Sequence, residues 1–439
     1  MMFKKVATIV LGVSLLFSGV YFHFDKKVSA KNGNVNKKVK NVIFLIPDGF
    51  SAGYASSYYW YKGSGLVMDQ ILVGMIRTHP ANQQVTDSAA AGTAMATGVK
   101  TNNDMVSVSP QGEKLKTILE ASKEAGKSTG LVATASITDA TPATFASHVV
   151  SRAKEVDIAT QIVDNNVDIL LGGGKQFFLP VTEGGKQPTR NLIAEAQKKG
   201  YQLIDTHEQL VKAKTKGKIL GLFANEAMSP ELDRENTNQP SLEDMTTLAL
   251  NTLKKDENGF FLMVEGSQID DAGHEHDAAK AMKEVEAFEK AVKVSLDYAK
   301  KDGETLVVIA GDHDTGGLSI GRGSVFATHV EILRNVNASG DFMTKQINNE
   351  KSNIQEVLKQ YANIDLNDQE IKRIKESADM KPTINDIISE HAVIGWTTIG
   401  HTGVNNPVYA FGPNFEWFRG LHDNTDLPKL IAKASGIKL

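Results

Sequence analysis

A buried strand is indicated by the stretch Val42-Ile-Phe-Leu-Ile46, which Pro47-Asp48-Gly49 follows directly. Five consecutive apolar residues without polar alternation are typical of a strand covered on both faces, as in a parallel sheet. The Pro and Gly residues end the run and predict a turn at its carboxyl end. The carboxylate of Asp48 is therefore expected just beyond the end of a buried strand.

Further apolar runs of this kind recur along the 439 residues. They lie at 130–134, 167–171, 260–264, 306–310 and 408–411. Helix-prone stretches separate them, among them 115–125, 153–165, 242–254 and 278–301. This alternation predicts an α/β fold with a large, mainly parallel central sheet flanked by helices on both faces. The polar, helix-prone residues 321–390 lack such a run, so we expect a cap or insertion within a single domain spanning residues 41–439.

The amino terminus has the features of an export signal. Lys4 and Lys5 precede a mostly apolar run at 6–24, and Val28-Ser29-Ala30 resembles a cleavage site. We expect residues 1–30 to be a signal peptide cleaved after Ala30, and 31–40 to be a flexible lead-in. The mature protein would then be secreted or extracytoplasmic, without stable membrane insertion. The alternative is an uncleaved anchor, because about 19 mostly apolar residues nearly span a bilayer.

Composition excludes several kinds of site and partner. The chain has no Cys, which removes disulfides, thiolate zinc sites and cysteine nucleophiles. Any metal must therefore be held by His, Asp, Glu or hydroxyl oxygen. The formal net charge is −4 and becomes more negative once the lysine-bearing leader is removed. An acidic net charge disfavours nucleic acid as a specific binding partner.

Acidic and imidazole side chains cluster at the predicted strand ends. Asp48, Glu265 and Asp312-His313 each follow an apolar run, and His401 precedes the run at 408–411. Ligands in open α/β sheets bind beyond the carboxyl ends of the strands, so these residues favour a metal centre.

The stretch 264–274, read as Val-Glu-Gly-Ser-Gln-Ile-Asp-Asp-Ala-Gly-His, carries the most information about metal binding. Asp270 and His274 are spaced i, i+4, so on a helix they share one face and can bind one ion. His276, two residues further on, is expected to point away from that ion and into solvent.

Two further motifs carry hydroxyl and guanidinium groups. Thr86-Asp87-Ser88 opens a run of small residues typical of a tightly packed helix start, where the helix dipole would stabilise a Ser88 alkoxide. No Gly-x-Ser-x-Gly elbow surrounds Ser88, which disfavours a Ser-His-Asp hydrolase. Asp139-Ala-Thr141-Pro142 precedes Arg152, whose planar fork suits a phosphate group.

Taken in order, six motifs of this chain resemble those of the alkaline phosphatase family. They are Asp-Gly at 48, Thr-Asp-Ser-Ala-Ala at 86, Asp-Ala-Thr-Pro at 139 with a following Arg, Val-Glu-Gly-x-x-Ile-Asp-x-x-x-His at 264, Asp-His at 312 and His-Thr-Gly at 401. The motifs span most of the mature chain. The resemblance implies a phosphomonoesterase that binds two zinc ions and one magnesium ion, and the leader makes it an exported one.

The resemblance also implies ligands for each ion. One zinc would be held by Asp270, His274 and His401; the second by Asp48, Asp312, His313 and the Ser88 oxygen; magnesium by Asp48, Thr141 and Glu265. Asp139 would act on magnesium through water. Ser88 would become a covalent phosphoserine, and Arg152 would bind the phosphoryl oxygens of small phosphate monoesters. Family members are often dimers, which makes a homodimer possible.

Two departures and two alternatives accompany this interpretation. Pro47 stands where the family usually has Gly, and Asp271 stands where several relatives carry a basic or aromatic residue. Asp271 is therefore expected to alter phosphate affinity and the preference for the third metal. One alternative is a phosphodiesterase of the same superfamily, although those enzymes commonly use a Thr nucleophile and lack the third metal. The other is a noncatalytic exported protein that binds metal or phosphate.

Overall fold

The structure is a computed structural model that describes residues 39–439. The predicted signal peptide and residues 31–38 of the lead-in lie outside the described residues. Val39 and Lys40, which the sequence assigns to the flexible lead-in, form backbone hydrogen bonds with residues of the folded chain. Their amides donate to the carbonyl oxygens of Ala434 and Glu304 at 3.2 and 2.9 Å.

A ten-stranded sheet and two small two-stranded sheets account for the β-structure of residues 39–439. The strands are β1 (Asn41–Pro47), β2 (Leu72–Arg77), β3 (Ser128–Ser136), β4 (Ile169–Gly173), β5 (Tyr201–Ile204), β6 (Lys218–Leu222), β7 (Phe260–Gly266), β8 (Thr305–Ala310), β9 (Asp314–Thr315), β10 (Ser319–Ile320), β11 (Ile394–Gly395), β12 (His401–Thr402), β13 (Asn406–Phe411) and β14 (Gly420–Asp423). All six predicted strands are present.

The ten-stranded sheet has the order β14-β2-β13-β8-β1-β7-β3-β4-β6-β5. Its strand pairs are parallel except for the two that β13 makes, with β8 and with β2. The predicted mainly parallel sheet is therefore confirmed. Four strands were not predicted from the sequence: β2, β14, β5 and β6.

Helices cover the sheet and form the segments between its strands. They are α1 (Ala52–Lys62), α2 (Ser88–Thr97), α3 (Ile118–Glu124), α4 (Ala140–Ala146), α5 (Glu155–Asn165), α6 (Leu192–Lys198), α7 (His207–Val211), α8 (Leu242–Leu253), α9 (Gln268–His274), α10 (Ala278–Asp302), α11 (Gly340–Gln346), α12 (Ile354–Ala362), α13 (Asp368–Glu376), α14 (Met380–Ala392) and α15 (Asp426–Ser435). Within the described chain, no helix is both long enough and apolar enough to cross a membrane.

Two apolar cores lie on opposite faces of the sheet. Along β1, Ile43 and Leu45 belong to the core beneath α1, α8 and α10, whereas Phe44 and Ile46 belong to the core beneath α2, α4 and α15. Successive side chains of a strand point to opposite faces, so a continuous apolar run supplies both cores at once. The helices on both faces are therefore confirmed.

The segment 321–390 is helical, as its composition predicts. It contains α11 to α14 and no strand. Apolar side chains of these helices, among them Leu358, Ile384 and Ile387, join the same core as α1 and α10. These helices thus pack on one face of the sheet and add to its core.

The strand register brings the predicted site residues to one edge. β1 lies between β7 and β8, with Ile46 opposite Glu265 and Leu45 opposite Ile309. Because these three strands are parallel, their carboxyl ends coincide, and the loops after them start side by side.

Candidate active site

Three buried carboxylates meet at the carboxyl ends of β1, β7 and β8. Asp48, Glu265 and Asp312 are 3%, 0% and 0% exposed. The turn after Asp48 needs Gly49, whose φ is +75° and where a Cβ would lie 2.8 Å from the backbone of Asp270. The Gly49 amide donates to Oδ1 of Asp312 at 3.1 Å, which joins the ends of β1 and β8.

Ser88 is the first residue of α2 and lies in the same cluster. Asp87 is the N-cap of this helix, and its carboxylate accepts from the Ala90 amide. The Ser88 hydroxyl is thereby left free of the capping role. Its Oγ lies 3.0 Å from Nε2 of His313, and the residue is 2% exposed. A tightly packed helix start is confirmed, since all ten residues of α2 are buried.

Asp270, His274 and His401 converge, as predicted. Nε2 of His274 lies 3.2 Å from Oδ2 of Asp270 and 3.2 Å from Nε2 of His401, which is 3.5 Å from Oδ1 of Asp270. Ligand atoms bound at 2.0–2.1 Å around tetrahedral zinc are about 3.3 Å apart. The separation between the two imidazole nitrogens fits that arrangement, and each imidazole lies at a similar distance from one oxygen of the Asp270 carboxylate.

Backbone carbonyls set the tautomers of these two imidazoles. Nδ1 of His274 donates to the Ile399 carbonyl at 2.6 Å, and Nδ1 of His401 donates to the Thr86 carbonyl at 2.8 Å. A carbonyl oxygen only accepts, so each Nδ1 carries the proton and each Nε2 presents a lone pair. Such outer hydrogen bonds are the usual way in which metal-binding imidazoles are oriented.

His313 lies between this triad and the strand-end carboxylates. Its Nε2 is 3.4 Å from Oδ1 of Asp48 and 3.2 Å from Oδ2 of Asp312. Two groups could each place their ligand atoms within 4.8 Å of one another: Asp48, Asp312 and His313, and Asp270, His313 and His401. His313 therefore reaches both predicted zinc positions.

Oxygen atoms alone form the third set. Oγ1 of Thr141 donates to Oδ2 of Asp48 at 3.2 Å. Glu265 lies near the carboxyl end of β7, opposite Ile46 of β1. Its burial, and then the charge of Asp139, raise its pKa well above the usual value. A hydroxyl and two carboxylates suit a hard ion such as magnesium.

The donor set fits divalent cations. Oδ1 of Asp48, both carboxylate oxygens of Glu265 and Oδ2 of Asp312 are buried and make no hydrogen bond within residues 39–439. Burial, then neighbouring acids, raise the pKa of Asp48 and of Asp312, the latter to about 7. Buried carboxylates are stable in the charged form only beside positive charge, so these oxygens are suited to metal ions.

Arg152 faces the site from the loop before α5, held by two acids. Its Nη2 donates to Oδ1 of Asp139 at 3.1 Å, and its Nη1 lies 3.7 Å from Oδ2 of Asp87. Its side chain is 31% exposed. The guanidinium is therefore oriented by acids near both terminal nitrogens, and its exposed part is open to an anion.

The structure thus brings the predicted site residues together at one edge of the sheet. The prediction for His276 was wrong. His276 does not point into solvent: it is half-buried, its Nε2 donates to the Thr398 carbonyl at 2.8 Å, and its ring stacks on Trp396. Thr315 was not predicted as a site residue; its hydroxyl donates to Asp270 and lies 3.2 Å from Nδ1 of His313. A lone Thr after Asp-His-Asp gives no signal of this role.

Comparison with known proteins agrees with this geometry. The alkaline phosphatase family model matches residues 39–437. Alkaline phosphatase 3 of Bacillus subtilis is 42% identical, over 98% of this chain and 97% of its own. The repressible alkaline phosphatase of Saccharomyces cerevisiae is 34% identical, over 98% and 86%.

Solved structures give the same result. The alkaline phosphatase of Thermus thermophilus superposes with a TM-score of 0.84 at 29% identity, covering 92% of this chain and 93% of its own. The cold-active enzyme of a Shewanella species gives 0.83 at 33% identity, covering 90% and 99%. The extent of the family match and the similarity to full-length relatives show that this chain belongs to the alkaline phosphatase family.

Proposed function

We propose that this phosphomonoesterase transfers the phosphoryl group of its substrate to Ser88 and then to water. The observation that carries the proposal is the position of the Ser88 hydroxyl. It lies at the amino end of a fully buried helix, 3.0 Å from His313 and within the cluster of metal-binding side chains. A serine in such surroundings needs no separate general base.

Three cation positions follow from the donor geometry. One zinc would be held by Asp270, His274 and His401, a second by Asp48, Asp312, His313 and Ser88, and magnesium by Asp48, Thr141 and Glu265. When bound, the zinc ions would supply Lewis-acid stabilisation of the attacking and leaving oxygens, and magnesium would add compensating positive charge. The orphaned oxygens of Asp48, Glu265 and Asp312 support this assignment.

The side chains of this protein then act in two successive displacements. Oγ of Ser88 gives up its proton to solvent and forms a bond to phosphorus while the P–O bond to the alcohol breaks. The alkoxide leaves on the opposite side with the bonding electron pair and takes up a proton from water. The amino end of α2 stabilises negative charge on Oγ through the helix dipole. Water next attacks the phosphoserine, which releases inorganic phosphate and restores Ser88.

Arg152 binds the phosphoryl group that is transferred. Its two terminal nitrogens form a planar fork that matches a pair of phosphoryl oxygens. Asp139 and Asp87 hold that fork in place before substrate arrives, which reduces the entropy lost on binding. The charge of Arg152 also gives an acidic protein a local attraction for an anionic substrate.

Hydrolysis rates for a monoester and a diester test the proposal. We expect p-nitrophenyl phosphate to be cleaved at least about 1,000-fold faster than bis-p-nitrophenyl phosphate, and a chelator to abolish both activities. A preference for the diester would favour the phosphodiesterase alternative. Phosphate or zinc binding without turnover would favour the noncatalytic alternative.

We also propose export with cleavage after Ala30. The basic residues, apolar run and small residues of the leader support this proposal. Mass spectrometry of the protein from a secreting host is expected to find Lys31 at the amino terminus. An intact Met1 in membrane fractions would support the anchor instead. Homodimer formation stays a prediction, to be checked by sedimentation.

A further inference from the structure

His276 has a backbone conformation that favours glycine. Its φ is +52°, in the left-handed region. It directly follows the end of α9 in a Schellman arrangement, because its amide donates to Gly273 at 3.2 Å and the Asp277 amide donates to Ala272 at 2.9 Å. Glycine is the usual residue at this position because any Cβ is strained there. The histidine therefore occupies this position at a conformational cost.

The imidazole of His276 makes two contacts that glycine would lose. Its ring stacks on Trp396 with centroids 4.9 Å apart and planes 8° apart. Its Nε2 lies 2.8 Å from the Thr398 carbonyl oxygen, and that nitrogen must be the donor because a carbonyl only accepts. Trp396 is itself fixed, since its Nε1 donates to Oγ of Ser389 at 3.0 Å.

The next carbonyl along the chain orients a predicted zinc ligand. Nδ1 of His274 donates to the Ile399 carbonyl at 2.6 Å. The imidazoles of His274 and His276 therefore bind two successive carbonyls of one segment, 398–399. Two residues further on, this segment reaches His401.

The other hydrogen bonds of the segment 398–399 involve its amide and side-chain groups; among them, the Gly400 amide donates to Oγ1 of Thr398 at 3.1 Å. The side chain of Ile399 is 74% exposed and makes no packing anchor. The amide of Thr398 donates to the Gly316 carbonyl at 3.2 Å, and the Gly316 amide donates to Gly400 at 2.9 Å. The hydrogen bond from His276 is thus a substantial part of what fixes these carbonyls.

We propose that His276 is a positioning residue for the Asp270–His274–His401 triad. By holding the Thr398 carbonyl, it keeps the adjacent Ile399 carbonyl where Nδ1 of His274 can donate to it. That bond directs Nε2 of His274 toward Asp270 and His401. The inference rests on the proposed zinc site and goes beyond it, since His276 binds no ion itself.

The alternative is that His276 serves only to end α9 and does not position the triad. In that case glycine, which adopts the left-handed conformation without strain, would serve as well or better. The two roles therefore predict different results for His276→Gly. The variant His276→Asn completes the comparison, because Asn tolerates this conformation and its amide can donate to a carbonyl.

The test measures zinc release from the metal-loaded enzyme into a chromophoric chelator. We expect His276→Gly to release zinc at least tenfold faster than the wild type, while the chelated variant unfolds at the same temperature or higher. His276→Asn is expected to restore release to within threefold of the wild type. Asn363→Gly, at another left-handed helix end, is the control and is expected to change nothing.

Two results would overturn the inference alone. One is release from His276→Gly at the wild-type rate, and the other is release from His276→Asn as fast as from His276→Gly. A wild-type protein that retains no zinc would instead contradict the proposed function, and this inference with it. The two failures are therefore distinguishable in one set of measurements.

Discussion

Oγ of Ser88 lies 3.0 Å from Nε2 of His313, although the two residues are 225 positions apart in the chain. Ser88 begins α2, and His313 follows β8 in the centre of the sheet. The amino end of a buried helix thus meets the carboxyl edge of a parallel sheet. The helix amino end favours negative charge on the serine oxygen and on a bound phosphoryl group. The strand ends supply the carboxylates and imidazoles of the candidate metal site.

Ser88→Ala should abolish the phosphoserine and lower kcat by at least about 1,000-fold, since the nucleophile is lost. The fold should be unaffected, because the hydroxyl makes no capping bond. Steady-state kinetics and the unfolding temperature test both points. Ser122→Ala removes another buried helical hydroxyl, in α3 before the amino end of β3, and should leave kcat unchanged. Near-normal activity of Ser88→Ala would show that the nucleophile is elsewhere.

Removal of the metal ions should destabilise the protein as well as inactivate it. Asp48, Glu265 and Asp312 would then be buried carboxylates without positive partners. We expect excess chelator to lower the unfolding temperature by about 10 °C or more. Zinc and magnesium added back should restore it. An unchanged unfolding temperature in protein shown by metal analysis to be metal-free would contradict the assigned sites.

Glu284→Gln should stabilise the protein at alkaline pH. Burial raises the pKa of Glu284 from 4.5 to about 8. The folded state then holds a proton that the unfolded state has lost, so the free energy of unfolding falls as pH rises from about 4.5 to 8. Gln keeps an acceptor for the Glu231 amide, which Glu284 binds at 2.6 Å. The variant should gain about 1–3 kcal/mol at pH 9 and little at pH 5.

Urea unfolding of both proteins at pH 5, 7 and 9 measures this difference under identical metal loading. The exposed substitution Glu356→Gln is the control, and it should not alter the pH profile. Parallel profiles for the wild type and Glu284→Gln would mean that Glu284 is ionised in the folded protein.

Asp271→Lys should tighten phosphate binding. Asp271 is exposed and follows the site residue Asp270 directly. At about 6 Å and an effective dielectric of 20–80, one charge pair contributes roughly 1–3 kcal/mol. We expect the variant to lower KM and the phosphate inhibition constant by about tenfold or more, with some loss of kcat because product leaves more slowly. Asp365→Lys makes the same charge change between α12 and α13 and should have no effect.

The phosphate inhibition constant of Asp271→Lys decides this prediction. An unchanged constant would mean that the charge at position 271 does not act on the bound anion.

The central strands could be predicted because they are buried on both faces. A continuous apolar run such as that of β1 has few other interpretations. β2, β5, β6 and β14 were missed because they are short or contain polar residues and glycine, as in Lys218–Leu222. The antiparallel direction of β13 was not predictable either, because strand residues do not encode direction.

The side chains of the site could be predicted from the sequence, but the backbone carbonyls that orient them could not. Asp270, His274 and His401 carry recognisable chemistry at recognisable spacings. The carbonyls of Thr86 and Ile399, which orient the imidazoles, are common to every residue and leave no trace in the sequence. His276 was misinterpreted for the same reason, since its partner is a carbonyl more than a hundred residues away.

The configuration at phosphorus tests the central claim most directly. An isotopically chiral phosphate monoester would be incubated with the metal-loaded enzyme and an acceptor alcohol, and the configuration of the transfer product determined. Transfer through Ser88 involves two in-line displacements, each of which inverts phosphorus, so we predict net retention. Net inversion would show a single direct displacement and would contradict a phosphoserine intermediate.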